Sequence, residues 1–365
     1  MDFKLDDDQQ AIADLAAQIF GDQATNERQR ELEQSDSPRF DRALWEQLGE
    51  AGLLGLPIAE AHGGAGLGFL EVAAVLEQVG RTTAPVPILE SLVLGAMPLG
   101  QFGGDALQNE WLPRVARGEA ILTAAFAEDT PTPATKSGAG WTLEGKRMFV
   151  SAGAVADAVL VPAKTESGTT VFLVETGATG VRVEPLATTS GQPEAALVLD
   201  GVSVTPAQIV GSEGKGERIV EWTRSHGTSA VCMVAMGACQ AALDLTSEYI
   251  KTRKQFDQPI ALFQSVGHRA ADAYIDNEAV RLTAWQAAWR LSAGLDASKQ
   301  VATAKFFAAE SGKRVVHAAQ HLHGGIGVDR EYPLHRFFLY ARHLELTLGG
   351  GTQHLLKLGK LIAAE

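Results

Sequence analysis

The stretch Tyr249-Ile250-Lys251-Thr252-Arg253-Lys254-Gln255-Phe256-Asp257-Gln258-Pro259-Ile260, with Phe263-Gln264 close behind, lies between two long helical patterns. It puts a fork-shaped guanidinium, amides and an aromatic ring into one tight loop, a set that suits a pyrophosphate and a flat ring system. Downstream, Tyr274, Leu282, Trp285 and Trp289 form one apolar helical stripe, ended by Gly294 as C-cap. A second loop follows, His321-Leu322-His323-Gly324-Gly325-Ile326-Gly327, and then Glu331-Tyr332-Pro333. Its glycines leave backbone N–H groups unshielded, as the close approach of a cofactor requires.

Upstream the texture changes. From about residue 121 to 212, short apolar runs alternate with turn residues, and Ile121–Phe126, Phe149–Ser151, Ala158–Pro162, Thr170–Val174 and Ala195–Val204 read as strands. From about 5 to 118 the pattern is helical, with Ile12, Leu15, Ala16, Ile19 and Phe20 on one face and further helices predicted near 41–53, 69–80, 87–101 and 105–117. The expectation is an α+β protein with an all-helical domain at 1–120, a β domain at 121–212 and a bundle of long helices at 213–365. A chain of 365 residues has room for two or three such domains. Two H-G-G-x-G stretches, His62–Gly66 and His323–Gly327, have different flanks and read as independent turns.

Composition removes several function classes. A net charge of −13 argues against nucleic acid or an anionic membrane as the main partner, so a phosphate-bearing ligand needs its own local site. The 2 cysteines, Cys232 and Cys239, share an apolar helix face and read as reduced, buried thiols. The acidic start is no signal peptide, and the apolar run Ala230–Leu243 falls short of the roughly 20 residues that span a bilayer, so a cytoplasmic protein without membrane insertion is expected. The His-Gly-Gly pairs lack the G-x-S-x-G elbow of a hydrolase. His321 and His323 have no acidic or thiol neighbour at ligand spacing, so no metal site is expected. Gly64-Ala65-Gly66-Leu67-Gly68 lacks the spacing of a dinucleotide fingerprint.

Taken in order, the two loops resemble the R-x-Q-F-G-x-P-I-x-x-F-Q and Q-x-x-G-G-x-G signatures of the acyl-CoA dehydrogenase family. Trp45 with Leu48-Gly49-Glu50-Ala51-Gly52 and Gly63-Gly64-Ala65-Gly66, and Ala154-Val155-Ala156-Asp157, extend the likeness over essentially the whole chain. The resemblance implies an N-terminal helical domain, a middle β-barrel or sandwich and a C-terminal four-helix bundle. It also implies FAD, an acyl-CoA substrate and an electron acceptor such as an electron-transfer flavoprotein. Carried over residue by residue, the cofactor contacts are Arg253 at the pyrophosphate, Gln255 and Gln264 as polar partners, Phe256 packed on the cofactor, and Gly324 and Gly325 as backbone donors. His321 stands where the family has glutamine, and Phe149 and Ser151 stand in the W-I-T motif.

The likeness breaks where the family's base belongs. Counting from Gly324 places Leu348 at the Y-E-G-T glutamate, and counting back from Arg253 places Gly227 at the alternative position. The T-E-P-x-A-G-S-D loop becomes Ala127-Glu128-Asp129-Thr130-Pro131-Thr132-Pro133, without the threonine that bonds the flavin. The losses serve the chain's own flavin in the family, and the retained residues serve a neighbour's. That pattern resembles the non-catalytic subunit of actinobacterial heterotetrameric acyl-CoA dehydrogenases that act on steroid side chains. The implied role is α,β-desaturation of acyl-CoA thioesters beside a catalytic partner, with no catalytic residue in this chain. The alternatives are a self-sufficient homo-oligomeric enzyme using Glu345 or His226 as base, and a flavin-free acyl-CoA-binding scaffold.

Overall fold

The computed structural model describes residues Lys4–Ala364. In chain order the elements are α1 (Asp7–Gln23), α2 (Asn26–Glu33), α3 (Arg42–Glu50), α4 (Phe69–Thr82), a π-helical run Leu89–Ala96 leading into α5 (Met97–Phe102), and α6 (Asp105–Ala116). The strands β1 (Leu122–Ala124), β2 (Thr132–Ser137), β3 (Gly140–Val150), β4 (Ala158–Thr165), β5 (Gly168–Glu175), β6 (Val181–Pro185), β7 (Ala195–Val204) and β8 (Ile209–Val210) follow. Then come α7 (Gly216–Thr252), the hairpin β9 (Lys254–Gln255) and β10 (Gln258–Pro259), α8 (Gln264–Ser292), α9 (Ser298–His323), α10 (Leu334–Leu346) and α11 (Gly351–Ala363). This is an N-terminal helical domain, a middle β-sheet domain and a C-terminal helix bundle.

The chain packs as two compact units. One holds the residues up to Glu31, Ala73–Ala84 and Thr228 onward, and the other holds Leu32–Val72 and Pro85–Gly227. In the first, Ala238, Cys239 and Ala242 of α7 meet Val315, Val316 and Ala319 of α9 and Leu334, Phe337 and Ala341 of α10. Small residues bring backbones close. A Cβ on Gly80 of α4 would stand 2.0 Å from the carbonyl oxygen of Val234, and one on Gly237 of α7 would stand 2.0 Å from that of Glu77. Cys232 and Cys239 are free and buried as expected, and burial pushes both thiols up to about 12. The expected four rods become five helices, three long and two short. The chain breaks between α10 and α11, where Leu348 and Gly349 take φ values of 56° and 101°. By length and composition α7 is apolar enough to cross a membrane, over a longer stretch than Ala230–Leu243 suggested, but 72% of that stretch is buried within the protein.

In the second unit the strands run in the order β6-β7-β3-β2-β4-β5-β8, with β1 added parallel to β4. The sheet does not close into a true barrel. It bends instead, so that Trp141 of β3 packs on Phe172 of β5 with ring centroids 5.4 Å apart. Leu143, Val159, Val161, Leu197 and Leu199 fill the same core. The sequence reading missed α2, β2, β6 and β8. Helix α2 carries almost only polar residues and β2 exposes most of its residues, while β6 alternates Val181 and Val183 with Arg182 and Glu184 over too short a run to stand out. The expected strand Phe149–Ser151 is the end of β3 and the turn after it.

Candidate cofactor site

Within the first unit, α7 ends one turn past Tyr249, whose carbonyl accepts the Arg253 backbone N–H at 2.8 Å. The next residues form the β9–β10 hairpin, with Phe256 and Asp257 at φ 53° and 64°. Both central residues with positive φ make a tight turn whose twist matches the strands. The turn lifts Phe256 into solvent, where it is 88% exposed, touching Phe263 edge-on at 6.2 Å. Arg253, Gln255 and Gln264 are exposed as well. The Arg253 guanidinium has no hydrogen bond or ion pair among the described residues, and Gln255 donates only to the carbonyl of Lys254, at 2.8 Å.

The second loop leaves α9. Gly324 takes φ 63° and ψ −138°, a conformation essentially confined to glycine. A Cβ on Gly324 or Gly325 would meet nothing within 4 Å, so the loop leaves open space at both positions, while the Gly324 amide itself donates back to the carbonyls of Gln320 and His321. His321 is exposed, whereas His323 is buried. The His323 ring stacks on Tyr249 at 4.3 Å and faces Tyr332 at 5.3 Å. Its Nδ1 lies 2.8 Å from the Ala319 carbonyl and its Nε2 3.1 Å from the Tyr332 hydroxyl. Burial lowers the His323 pKa, which favours the neutral ring; Nδ1–H then donates to Ala319 and Nε2 accepts from Tyr332. The structure therefore joins the arginine hairpin to the Gly-Gly loop through a buried imidazole. The sequence reading took Tyr249 and Tyr332 only as parts of motifs. The aromatic at one turn before Arg253, opposite a histidine beside the glycines, was the available signal.

The second unit holds the other two expected contacts. Phe149, at φ 54° beside a register shift in β3, is 58% exposed. Ser151 is buried, and its carbonyl accepts from the Thr123 hydroxyl at 2.7 Å. The neighbouring loop 125–130 is held by two arginines. Arg224 donates to the carbonyls of Phe126 (2.8 Å) and Glu128 (2.9 Å) and pairs with Asp129 at 2.7 Å. Arg147 donates to the carbonyls of Ala125 (2.9 Å), Glu128 (3.1 Å) and Thr130. The loop's carbonyls thus point inward onto guanidinium groups.

The alternative bases are poorly placed for proton abstraction. Glu345 is ion-paired with Arg342 and stands 3.8 Å from the Lys313 ammonium. The Lys305 ammonium, pushed down to about 8 by burial, donates to the carbonyls of Leu344 (2.6 Å) and Glu345 (3.0 Å) and so caps the end of α10. His226 is stacked on Trp222 at 3.8 Å, with Nδ1 2.9 Å from the Trp222 carbonyl, and burial pulls its pKa down to about 4. A base that weak holds a proton poorly at neutral pH. No group of three or more metal-ligating side chains occurs among the described residues.

The residues present fit a dinucleotide cofactor as half of a site. An unpartnered guanidinium and a glycine loop that lets a ligand approach the backbone closely suit phosphates, and an exposed ring suits a planar system. Known proteins bear on that reading. Models of the acyl-CoA dehydrogenase N-terminal, middle and C-terminal domains match residues 6–119, 123–202 and 214–360. Acyl-CoA dehydrogenase FadE27 of Mycobacterium tuberculosis is 43% identical, covering 100% of this chain and 99% of the relative. A crystal structure of the ChsE4–ChsE5 complex from the same organism contains a chain 43% identical, with a TM-score of 0.95 and 100% coverage of both. A steroid ACAD variant, Tcur3481–Tcur3483, matches at 38% identity, a TM-score of 0.91 and 99% coverage of both. Solved structures of this fold include complexes with FAD. The chain belongs to the acyl-CoA dehydrogenase family of oxidoreductases.

Proposed function

We propose that this chain is the non-catalytic subunit of a heteromeric, FAD-dependent acyl-CoA dehydrogenase that desaturates a bulky, steroid-type acyl-CoA. The observation that carries the proposal is the pairing of an exposed, unpartnered half-site with empty base positions. Arg253, Gln255, Phe256, Gln264, His321, Gly324 and Gly325 offer phosphate and ring contacts outward, while Leu348 and Gly227 supply no carboxylate. FAD accepts the hydride when bound. This chain's own part is to hold the phosphates with Arg253 beside the Gly324–Gly325 loop, and to shield the ring with Phe256. The partner provides the base. A relative solved as a two-protein complex and another described as a steroid ACAD support the heteromer and the substrate class.

Two further features support the assembly. The α8 stripe is turned outward: Tyr274, Leu282 and Trp289 are exposed, and only Trp285 of the four is buried. Large apolar side chains gathered exposed on one helix face are what a protein contact covers. The two unpaired thiols favour a reducing, cytoplasmic compartment. The self-sufficient reading loses ground to the ion pairs of Glu345 and the stacking of His226.

The test is to purify the chain alone and together with a related chain that retains the glutamate. Flavin per chain and acyl-CoA oxidation with an external electron acceptor are then measured. The expected result is one FAD per two chains and turnover only in the mixture. One FAD per chain with turnover from this protein alone would overturn the proposal.

A further inference from the structure

The geometry points to His323 as the positioning residue that keeps the Gly324–Gly325 loop and the Arg253 guanidinium in register on one FAD diphosphate. This rests on the cofactor reading above and adds to it the device that makes two distant chain segments act as one site.

Arg253 and Gly324 lie on different loops at the ends of two long helices, α7 and α9. Both loops are exposed, and among the described residues no backbone hydrogen bond links residues 253–258 directly to residues 324–327. His323 sets their relative position from beneath. Its backbone is the last residue of α9, so its orientation sets where the chain enters the glycines. Its ring lies on Tyr249, whose carbonyl anchors the Arg253 N–H. The Tyr249 hydroxyl reaches back to the His323 carbonyl at 3.4 Å. On the other side Tyr332 fixes the imidazole tilt through Nε2.

Tyr332 is itself held. Asn26 of α2 donates to the carbonyl of Glu331 at 3.0 Å, and Arg336 of α10 donates to the Asn26 side chain. The ring sits between elements that are separately anchored, and both of its nitrogens are used. A leucine there would fill the volume but fix neither tilt nor register. Misplacement of binding groups by about 1 Å is enough to weaken a polar site strongly.

The experiment is a double-mutant cycle on FAD affinity, measured by flavin fluorescence in the assembled complex with its catalytic partner. His323→Ala is expected to weaken FAD at least 10-fold, and Tyr332→Phe, which keeps the ring and removes one hydroxyl, about 3-fold with an unchanged melting temperature. In an Arg253→Ala background, His323→Ala should add clearly less than its effect in wild type, because part of that effect acts through Arg253. Wild-type FAD affinity in Tyr332→Phe and His323→Ala, or full additivity with Arg253→Ala, would overturn the inference. If His323→Ala fails to fold, Tyr332→Phe and Tyr249→Ala in the same cycle decide it by the same criteria. Arg253→Ala serves as the separate check: unchanged FAD affinity there would refute the cofactor reading itself, whereas a loss there without any loss at His323 refutes only the positioning role.

Discussion

Gly324 and Glu90 are two single residues with measurable consequences. Gly324 adopts φ 63° and ψ −138°, so an added Cβ strains the backbone even though the space outside is open. Gly324→Ala should cost about 2 kcal/mol of local strain and shift the Gly324–Gly325 loop, weakening FAD in the assembled complex by more than 10-fold. Affinity equal to wild type would mean that the loop does not touch the cofactor. Glu90, in the π-helical run, has its carboxyl pushed up to about 7 by burial, with nearby Glu194 adding to the effect. Its ordinary value is 4.5, so between these pH values the folded state binds the extra proton and Glu90's contribution to stability falls as pH rises. Urea unfolding of Glu90→Gln should therefore show an advantage over wild type that grows from pH 4.5 to 7, by up to about 3 kcal/mol. A gap that stays constant with pH would show the carboxyl to be hydrated. Neither residue announces this in sequence. A glycine in a Gly-rich loop and a glutamate in an apolar run are readable as types, while φ and solvation depend on the packed surroundings.

Among the elements, the close approach of α4 and α7 makes the firmest prediction. Gly80→Ala or Gly237→Ala puts a methyl carbon 2.0 Å from a carbonyl oxygen, and the helices must separate. Either change should lower unfolding free energy by about 3 kcal/mol, at the upper end of overpacking costs. A loss below about 1 kcal/mol would show that the crossing yields easily. The hairpin carries a milder strain, since Asp257 sits at φ 64° where the family signature has glycine. What the sequence made legible at this scale were periodic, buried elements: Ala16, Ile19 and Phe20 of α1 face inward as their spacing foretold, although Leu15 of the same expected face is exposed and Ile12 only half-buried. It did not reveal direction. The α8 stripe has helical spacing too, yet most of it faces solvent, because periodicity reports an apolar face and not what covers it. The rigid link through His323 was equally hidden, because Tyr249, His323 and Tyr332 meet only in three dimensions.

For the molecule as a whole, the family and the order of its domains were readable because two motif loops and a change of periodicity fall in a fixed sequence. The open edge of the β sheet was not, since closure depends on where β6 and β8 end up. Assembly gives the test at this scale. Ile275→Glu with Leu282→Glu changes two exposed positions on α8 and should leave the circular dichroism spectrum intact while preventing co-purification with the partner. Retained association would show that another surface makes the contact. Phe256, standing almost wholly in solvent at its hairpin tip, matters to the cell before any cofactor is present. Under the heteromeric reading, a chain synthesised in excess of its counterpart displays that ring and the α8 stripe to chaperones and proteases. Its half-life is then set by the counterpart's supply, and pulse-chase labelling without the counterpart should show rapid turnover that co-expression abolishes.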